Sequence, residues 1–122
     1  PHRCTVLIGG HAWRISAQDL REALDGHPDL QRLLLRHVHT VLAQTAQVGV
    51  CNARHALRQR LARWLLLAHD GLDGDEIAVT HAVLARVLGV RRAGITTAIG
   101  RLEAEQRIQR GRGRVLVTDR AA

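Results

Sequence analysis

Apolar residues between positions 80 and 103 recur at helical spacing and predict two helices joined by a tight turn. One face of the first helix carries Leu84, Ala85 and Leu88. Thr80 stands where an N-cap hydroxyl accepts a free backbone N–H group, and Gly89 stands where a left-handed turn favours glycine. The pattern therefore indicates a short helix that begins after Thr80 and ends before Gly89.

The second helix of this pair is predicted to begin near Arg92. Its inner face carries Ile95, Ala98, Ile99 and Leu102. A small residue at Ala85, a glycine four positions later and a β-branched residue at Ile95 are typical of a helix-turn-helix motif, with Val90 filling the gap between the helices. In such a motif the second helix enters the DNA major groove. The alternative is an ordinary helical hairpin in a small α-helical domain.

A β-hairpin is predicted after the second helix. Residues 106–109 lead to a tip at 110–114, and residues 115–118 form the return strand. The tip carries Arg110, Arg112 and Arg114. A further short strand, at 77–79, precedes the first helix. A helix-turn-helix followed by a hairpin is the winged-helix arrangement, and arginines at the wing tip can reach phosphates or the minor groove.

A heptad seam runs along a long helix predicted over residues 29–53. Its positions, spaced by fours and threes, are Leu30, Leu34, Val38, Val41, Thr45, Val48 and Asn52. A helix of about 37 Å needs a partner for this seam in so small a chain. We favour a parallel coiled coil with a second copy of the chain; the alternative is packing against a sheet domain. Residues 52–55 are predicted to be a hinge, followed by a helix over 56–69.

The first residues read as the end of a sheet. Residues 3–8 are β-rich, Gly9-Gly10 suits a hairpin turn, and residues 11–15 alternate enough to form the return strand. Ser16 opens a short helix that runs to position 24, and residues 26–28 break it. An isolated hairpin is barely stable in water. Since the chain also starts on Pro1 without a Met, we expect it to be part of a longer protein.

Charge is concentrated in the second half of the chain. The net charge is +7, all 18 basic residues are Arg, and residues 80–122 hold nine Arg against three acids. This excess coincides with the helix-turn-helix and hairpin, as expected of a phosphate-binding surface. The apolar fraction is 46% with two Trp and no Phe, Tyr or Met, so the core must be aliphatic.

No cluster of residues points to catalysis or to a metal site. The acidic turn at 70–76 and the adjacent His69 match no EF-hand or zinc spacing, and the other histidines are scattered. We therefore expect no metal, cofactor or catalytic residue in this chain. Cys4 and Cys51 lie outside any CxxC motif and look like reduced thiols of a cytoplasmic protein. No apolar run reaches the ~18 residues that span a membrane, and no signal peptide is visible.

Four pieces of the sequence resemble the Crp/Fnr family of bacterial transcription regulators, relatives of the cyclic-AMP receptor protein. They are residues 60–70, 77–90, 91–103 and 107–120. Residues 1–53 resemble the family only in the order of their predicted elements. They match the end of its β-roll sensor domain, followed by its long dimerisation helix. The resemblance implies a homodimer on two-fold symmetric double-stranded DNA, an effector bound in the β-roll, and RNA polymerase as a further partner. The chain lacks the family's phosphate-binding segment and cysteine cluster, so no effector is assigned.

The resemblance places Arg92, Ala93 and Thr97 where family members read base edges. The best-known members have Glu and Arg where Ala93 and Thr97 stand, so the operator sequence does not follow. Our hypothesis is that Arg92, Ala93, Thr96 and Thr97 face bases, with Arg92 pairing bidentately with guanine O6 and N7. The residues expected to hold phosphates are Thr80, Arg91, Arg101, Arg110, Arg112 and Arg114.

The sequence thus predicts a mainly α-helical chain with a small β component. Residues 1–27 form the β-hairpin remnant of a β-roll sensor domain, 28–55 the dimerisation helix, and 56–122 a winged helix-turn-helix domain. The functional hypothesis is a sequence-specific DNA-binding transcription regulator that acts as a homodimer and is not an enzyme. The alternative is a winged-helix interaction or dimerisation module without specific DNA binding, which an apolar recognition face would favour.

Overall fold

The computed structural model describes Val6 and residues 9–120, and it is mainly α-helical with one small antiparallel sheet. The helices are α1 (Ala17–Gly26), α2 (Pro28–Arg54), α3 (Leu57–His69), α4 (His81–Leu88) and α5 (Arg92–Ala104). The strands are β1 (Glu76–Ile77), β2 (Ile108–Gly111) and β3 (Arg114–Val117). This order of elements confirms the predicted fold class. The chain divides into two units, residues 1–51 and 52–122.

The first unit contains α1 and most of α2. Ser16 caps α1 as predicted, because its Oγ accepts the N–H of Asp19 at 3.1 Å. The helix continues to Gly26, two residues beyond the predicted end, and only His27 separates it from α2. Pro28 is the first residue of α2, a position where proline loses no helical hydrogen bond. Near the end of α2, Cys51 is a buried free thiol, whereas Cys4 lies outside the described residues.

The return strand predicted for residues 11–15 was wrong. These residues form no regular structure and are exposed, with Trp13 fully so. Alternating apolar residues form a strand only when a neighbouring strand satisfies their backbone groups. Apart from Val6, the predicted partner at residues 3–8 lies outside the described residues.

The second unit folds around one aliphatic core. Its buried members come from the three helices and three strands of this unit and, at Val79, from the segment before α4: Leu61, Leu65, Ile77, Val79, Leu84, Leu88, Ile95, Ala98, Ile99, Leu102, Ile108, Val115 and Val117. The two predicted inner faces of the helix-turn-helix are part of this core. Each large aliphatic side chain contributes about 1.5–3 kcal/mol by leaving water. Burial on one face of α5 therefore fixes which face of that helix remains outside.

The sheet has the order β1-β3-β2, with both pairings antiparallel. The first strand is one residue earlier than predicted and does not include Ala78 or Val79. The hairpin is also tighter than predicted: Gly111 pairs with Arg114, so the turn consists of Arg112 and Gly113 alone. Gly113 has a φ of 74°, which suits glycine at the third position of a type II turn. Arg110 and Arg114 consequently belong to strands rather than to the tip.

Candidate nucleic-acid interface

The turn between α4 and α5 has the geometry that the sequence predicted. Thr80 Oγ1 accepts the N–H of Val83 at 3.3 Å and caps α4. Gly89 adopts the left-handed conformation with φ 66° and ψ 39°. The N–H of Val90 then donates to the carbonyl of Ala85 at 2.9 Å and closes the turn. These contacts make residues 80–104 a helix-turn-helix with α5 as its second helix.

Arg60 holds this turn from outside the motif. Its Nη2 donates to the carbonyl of Leu88 at 2.5 Å, at the C-terminal end of α4, where the helix dipole attracts a cation. Its Nε donates to Asn52 Oδ1 at 2.8 Å, so one predicted seam residue is hydrogen-bonded within the second unit. Sequence reasoning missed Arg60, because neither partner lies at helical spacing from it.

The outer face of α5 is polar and cationic. The buried residues of α5 are the four predicted from the sequence, Ile95, Ala98, Ile99 and Leu102, and they lie on the opposite, inner face. The exposed residues of the first three turns and the N-cap are Arg91, Arg92, Ala93, Thr96, Thr97 and Arg101. All four residues predicted to read bases are therefore on the same exposed side of the helix, with Arg91 and Arg101 at either end of it.

Both threonine hydroxyls of this face are turned towards the backbone of their own helix. Thr96 Oγ1 donates to the carbonyl of Arg92 and Thr97 Oγ1 to the carbonyl of Ala93, each at 3.2 Å. The ring Nδ1 of His81 lies 3.0 Å from Thr96 Oγ1 and so links the start of α4 to α5. His81 was not among the predicted site residues. The sequence placed His81 beside the N-cap Thr80 but gave no sign of its contact with Thr96, which is 15 residues away.

The basic residues of the interface fall into two groups. Arg110 Nε lies 2.8 Å from Glu103, and Arg114 Nη1 lies 3.1 Å from Glu76, so both strand arginines of the wing are ion-paired. Arg91, Arg92, Arg101 and Arg112 make no side-chain hydrogen bond or ion pair with any residue that the structure describes. This second group presents free guanidinium groups at both ends of the exposed face of α5 and at the tip of the hairpin.

The predicted dimer seam lies along α2. Leu30 and Leu34 are half-buried. The remaining positions, Val38, Val41, Thr45, Val48 and Asn52, are exposed in the single chain. Thr45 Oγ1 donates to the carbonyl of Val41 at 2.8 Å, so its methyl group is available to the seam. Val38, Val41 and Val48 thus form an exposed aliphatic row, interrupted by Thr45, of the kind that a second helix can cover.

The acidic turn after α3 is held by contacts between polar side chains. His69 Nε2 lies 2.8 Å from Asp75 Oδ1, and Arg120 bonds Asp70 across the same turn. Across Val6 and residues 9–120, no group of three or more His, Cys, Asp or Glu side chains could hold a metal ion. In the same residues, no helix is both long enough and apolar enough to cross a membrane.

Comparison with protein families and solved structures agrees with this geometry. The family model described as a Crp-like helix-turn-helix domain matches residues 59–122, more than half of the chain. A comparison with curated proteins found no match.

Three similar solved structures illustrate the likeness. A transcriptional regulator of the CRP/FNR family from Thermus thermophilus is 28% identical with a TM-score of 0.68, over 76% of this chain and 51% of that one. FixK2 from Bradyrhizobium japonicum is 15% identical with a TM-score of 0.76, over 86% and 55%. The c-di-GMP responsive global regulator CLP from Xanthomonas campestris is 20% identical with a TM-score of 0.64, over 84% and 53%. The chain spans about half the length of these proteins.

Proposed function

Because the chain belongs to the Crp-like helix-turn-helix family, we propose that it regulates transcription by binding double-stranded DNA sequence-specifically as a homodimer. The observation that carries this proposal is the outer face of α5, which is exposed, cationic and free of carboxylates. The second helix of a helix-turn-helix is the one that lies in the major groove. A free guanidinium group at Arg92 and small side chains beside it suit that position.

The proposal divides the interface between base reading and phosphate binding. Arg92 pairs with guanine, and Ala93, Thr96 and Thr97 lie against neighbouring base edges. Phosphates are held by Arg91, Arg101 and the wing, while the exposed cap residue Thr80 lies at the start of α4. Since Arg112 is the unpaired arginine of the wing, it is the leading phosphate contact there, ahead of Arg110 and Arg114.

A second copy of the chain completes the proposal. The exposed seam of α2 supports pairing of two long helices, and a dimer presents two α5 helices to a two-fold symmetric site. We expect the half-sites to be about one helical turn apart, at roughly 34–36 Å, the usual spacing for such dimers. RNA polymerase remains an expected partner of the bound dimer, and we expect no enzymatic activity.

The alternative is a winged helix that serves as a protein-interaction module. Such a module would need an apolar recognition face, because the fully buried core of a protein–protein interface is more apolar than the rest of the surface. The face of α5 instead carries Arg91, Arg92 and Arg101 with two threonines between them. This composition favours a polyanion over an apolar protein surface.

Selection of bound duplexes from a random pool, over several rounds and at two salt concentrations, tests the proposal. Enrichment of a palindrome supports a sequence-specific dimer. Salt-sensitive binding without enrichment would reduce the function to non-specific DNA binding, and no binding at low salt would favour the interaction module. Arg21→Ala is a charge-matched control, because Arg21 is exposed on α1, away from the helix-turn-helix in sequence. Arg92→Ala should lose the enrichment that Arg21→Ala keeps.

A further inference from the structure

The outer face of α5 offers hydrogen-bond donors and methyl groups to a base pair, but no strong acceptor. Its exposed side chains are arginine, alanine and threonine, and Glu103 points its carboxylate to Arg110 instead. Reading cytosine N4 calls for a carboxylate and reading adenine calls for Asn or Gln. Neither kind of side chain is present on the exposed face between residues 91 and 101.

The threonine hydroxyls add only weak, uncharged acceptors to this inventory. A hydroxyl has one hydrogen to donate, and both Thr96 and Thr97 donate it to a carbonyl one turn back, at 3.2 Å. Thr96 Oγ1 also faces His81 Nδ1 at 3.0 Å. Thr96 Oγ1 therefore has two partners within the protein, the carbonyl of Arg92 and the ring of His81. Besides this oxygen, each of the two exposed threonines has a Cγ2 methyl group.

Ala93 and Thr97 lie four residues apart and form one row along the exposed side of α5. Arg92 and Thr96 form the neighbouring row. A guanidinium group therefore lies beside a strip of methyl groups. In the major groove, arginine matches guanine O6 and N7, and apolar methyl groups match the C5-methyl of thymine.

We propose that each operator half-site combines a guanine read by Arg92 with adjacent thymines whose C5-methyl groups contact Ala93 and Thr97. This inference rests on the proposed function, because it names the sequence that the same surface would select. It assigns Thr97 a specificity role through its methyl group rather than its hydroxyl.

Replacing single thymines by deoxyuridine in the selected operator tests the proposal, since this removes the C5-methyl and nothing else. Each contacted thymine should bind about fourfold more weakly as deoxyuridine, from ~0.8 kcal/mol per buried methylene-sized group. Substitution in both half-sites should give a loss of roughly fifteenfold for the dimer. Thymines outside the contacted positions serve as internal controls and should show no change.

Two variants of Thr97 separate the methyl from the hydroxyl. Thr97→Ser keeps the hydroxyl and should abolish the deoxyuridine effect at one thymine, while the effect at the thymine beside Ala93 remains. Thr97→Val keeps a methyl in the same place and should retain the effect. Circular dichroism checks that both variants fold.

The proposal is overturned if the enriched half-site lacks thymine beside guanine, or if deoxyuridine changes no position. It is also overturned if Thr97→Val loses the discrimination that Thr97→Ser keeps, because the hydroxyl would then read the base. If instead the proposed function is wrong, no operator is enriched at all, so the two failures give distinguishable results.

Discussion

Replacing Arg112 by Ala should weaken DNA binding and flatten its dependence on salt. Arg112 occupies the two-residue turn at the wing tip, and its guanidinium group has no partner among the described residues. An unpaired cation that meets a phosphate releases a condensed counterion from the DNA. The contribution of Arg112 therefore depends on salt concentration rather than on base sequence, and its loss should affect specific and random DNA alike.

The expected change in the salt dependence follows from the number of wings, which is two in a dimer. Each phosphate contact adds about 0.9 to the slope of log K against log salt, so loss of two contacts in a dimer should lower the slope by about 1.8. Between roughly 50 and 200 mM salt, a difference of this size changes the affinity ratio of wild type to variant by about twelvefold. Arg110→Ala should change the slope less, because Glu103 already neutralises that arginine in the free protein.

Fluorescence anisotropy titrations with a labelled operator, over a series of salt concentrations, measure this slope directly. Arg112→Lys retains the charge and should keep the wild-type slope. Arg112 is exposed, so its replacement should alter the free energy of unfolding by no more than ~0.5 kcal/mol, which thermal denaturation checks. If Arg112→Ala keeps the wild-type slope, or if Arg110→Ala lowers it more than Arg112→Ala does, the assignment of the wing contact to Arg112 is wrong.

Three further outcomes are expected. Arg92→Ala should reduce discrimination between operator and random DNA by ~1–3 kcal/mol in competition titrations, and an equal loss on both DNAs would exclude base reading by Arg92. Ile99→Ala should lower the free energy of unfolding by ~2–5 kcal/mol in denaturant titrations, since Ile99 is completely buried. Val41→Asp should convert a dimer to a monomer in sedimentation experiments at matched protein concentration, whereas Arg21→Ala should not. A variant at Val41 that still dimerises would point to a different dimer surface.

The helix-turn-helix could be predicted from the sequence because its signals are local. The cap at Thr80, the glycine at position 89 and the four buried residues of α5 all act within one or two helical turns. Such features depend on the residue type at one position and on the spacing of apolar residues, and both can be read from a single sequence. The same reasoning placed Arg92, Ala93, Thr96 and Thr97 on the exposed side.

Contacts between distant residues could not be predicted in this way. The pairing of Arg114 with Glu76 joins β3 to β1 across 38 residues, and the contact of Arg60 with Leu88 spans 28. The strand expected at residues 11–15 failed for the related reason that alternation says nothing about whether a partner strand is present. The two-residue turn at Arg112 and Gly113 likewise depends on the register of β2 against β3, which no local pattern specifies.

These distant contacts change how the net charge of the second half should be interpreted. All three acids between residues 80 and 122 are ion-paired, namely Glu103 with Arg110, Glu105 with Arg58 and Asp119 with Arg107. Exposed ion pairs of this kind stabilise a fold by only about 0–1 kcal/mol each, so their main consequence is where they leave the free charge. The ion-paired arginines of this half are Arg107, Arg110, Arg114 and Arg120, while those on α4, on α5 and at the wing tip stay unneutralised. The attraction for a polyanion is therefore directed to the recognition helix and to Arg112, although the sequence distributes arginine over the whole domain.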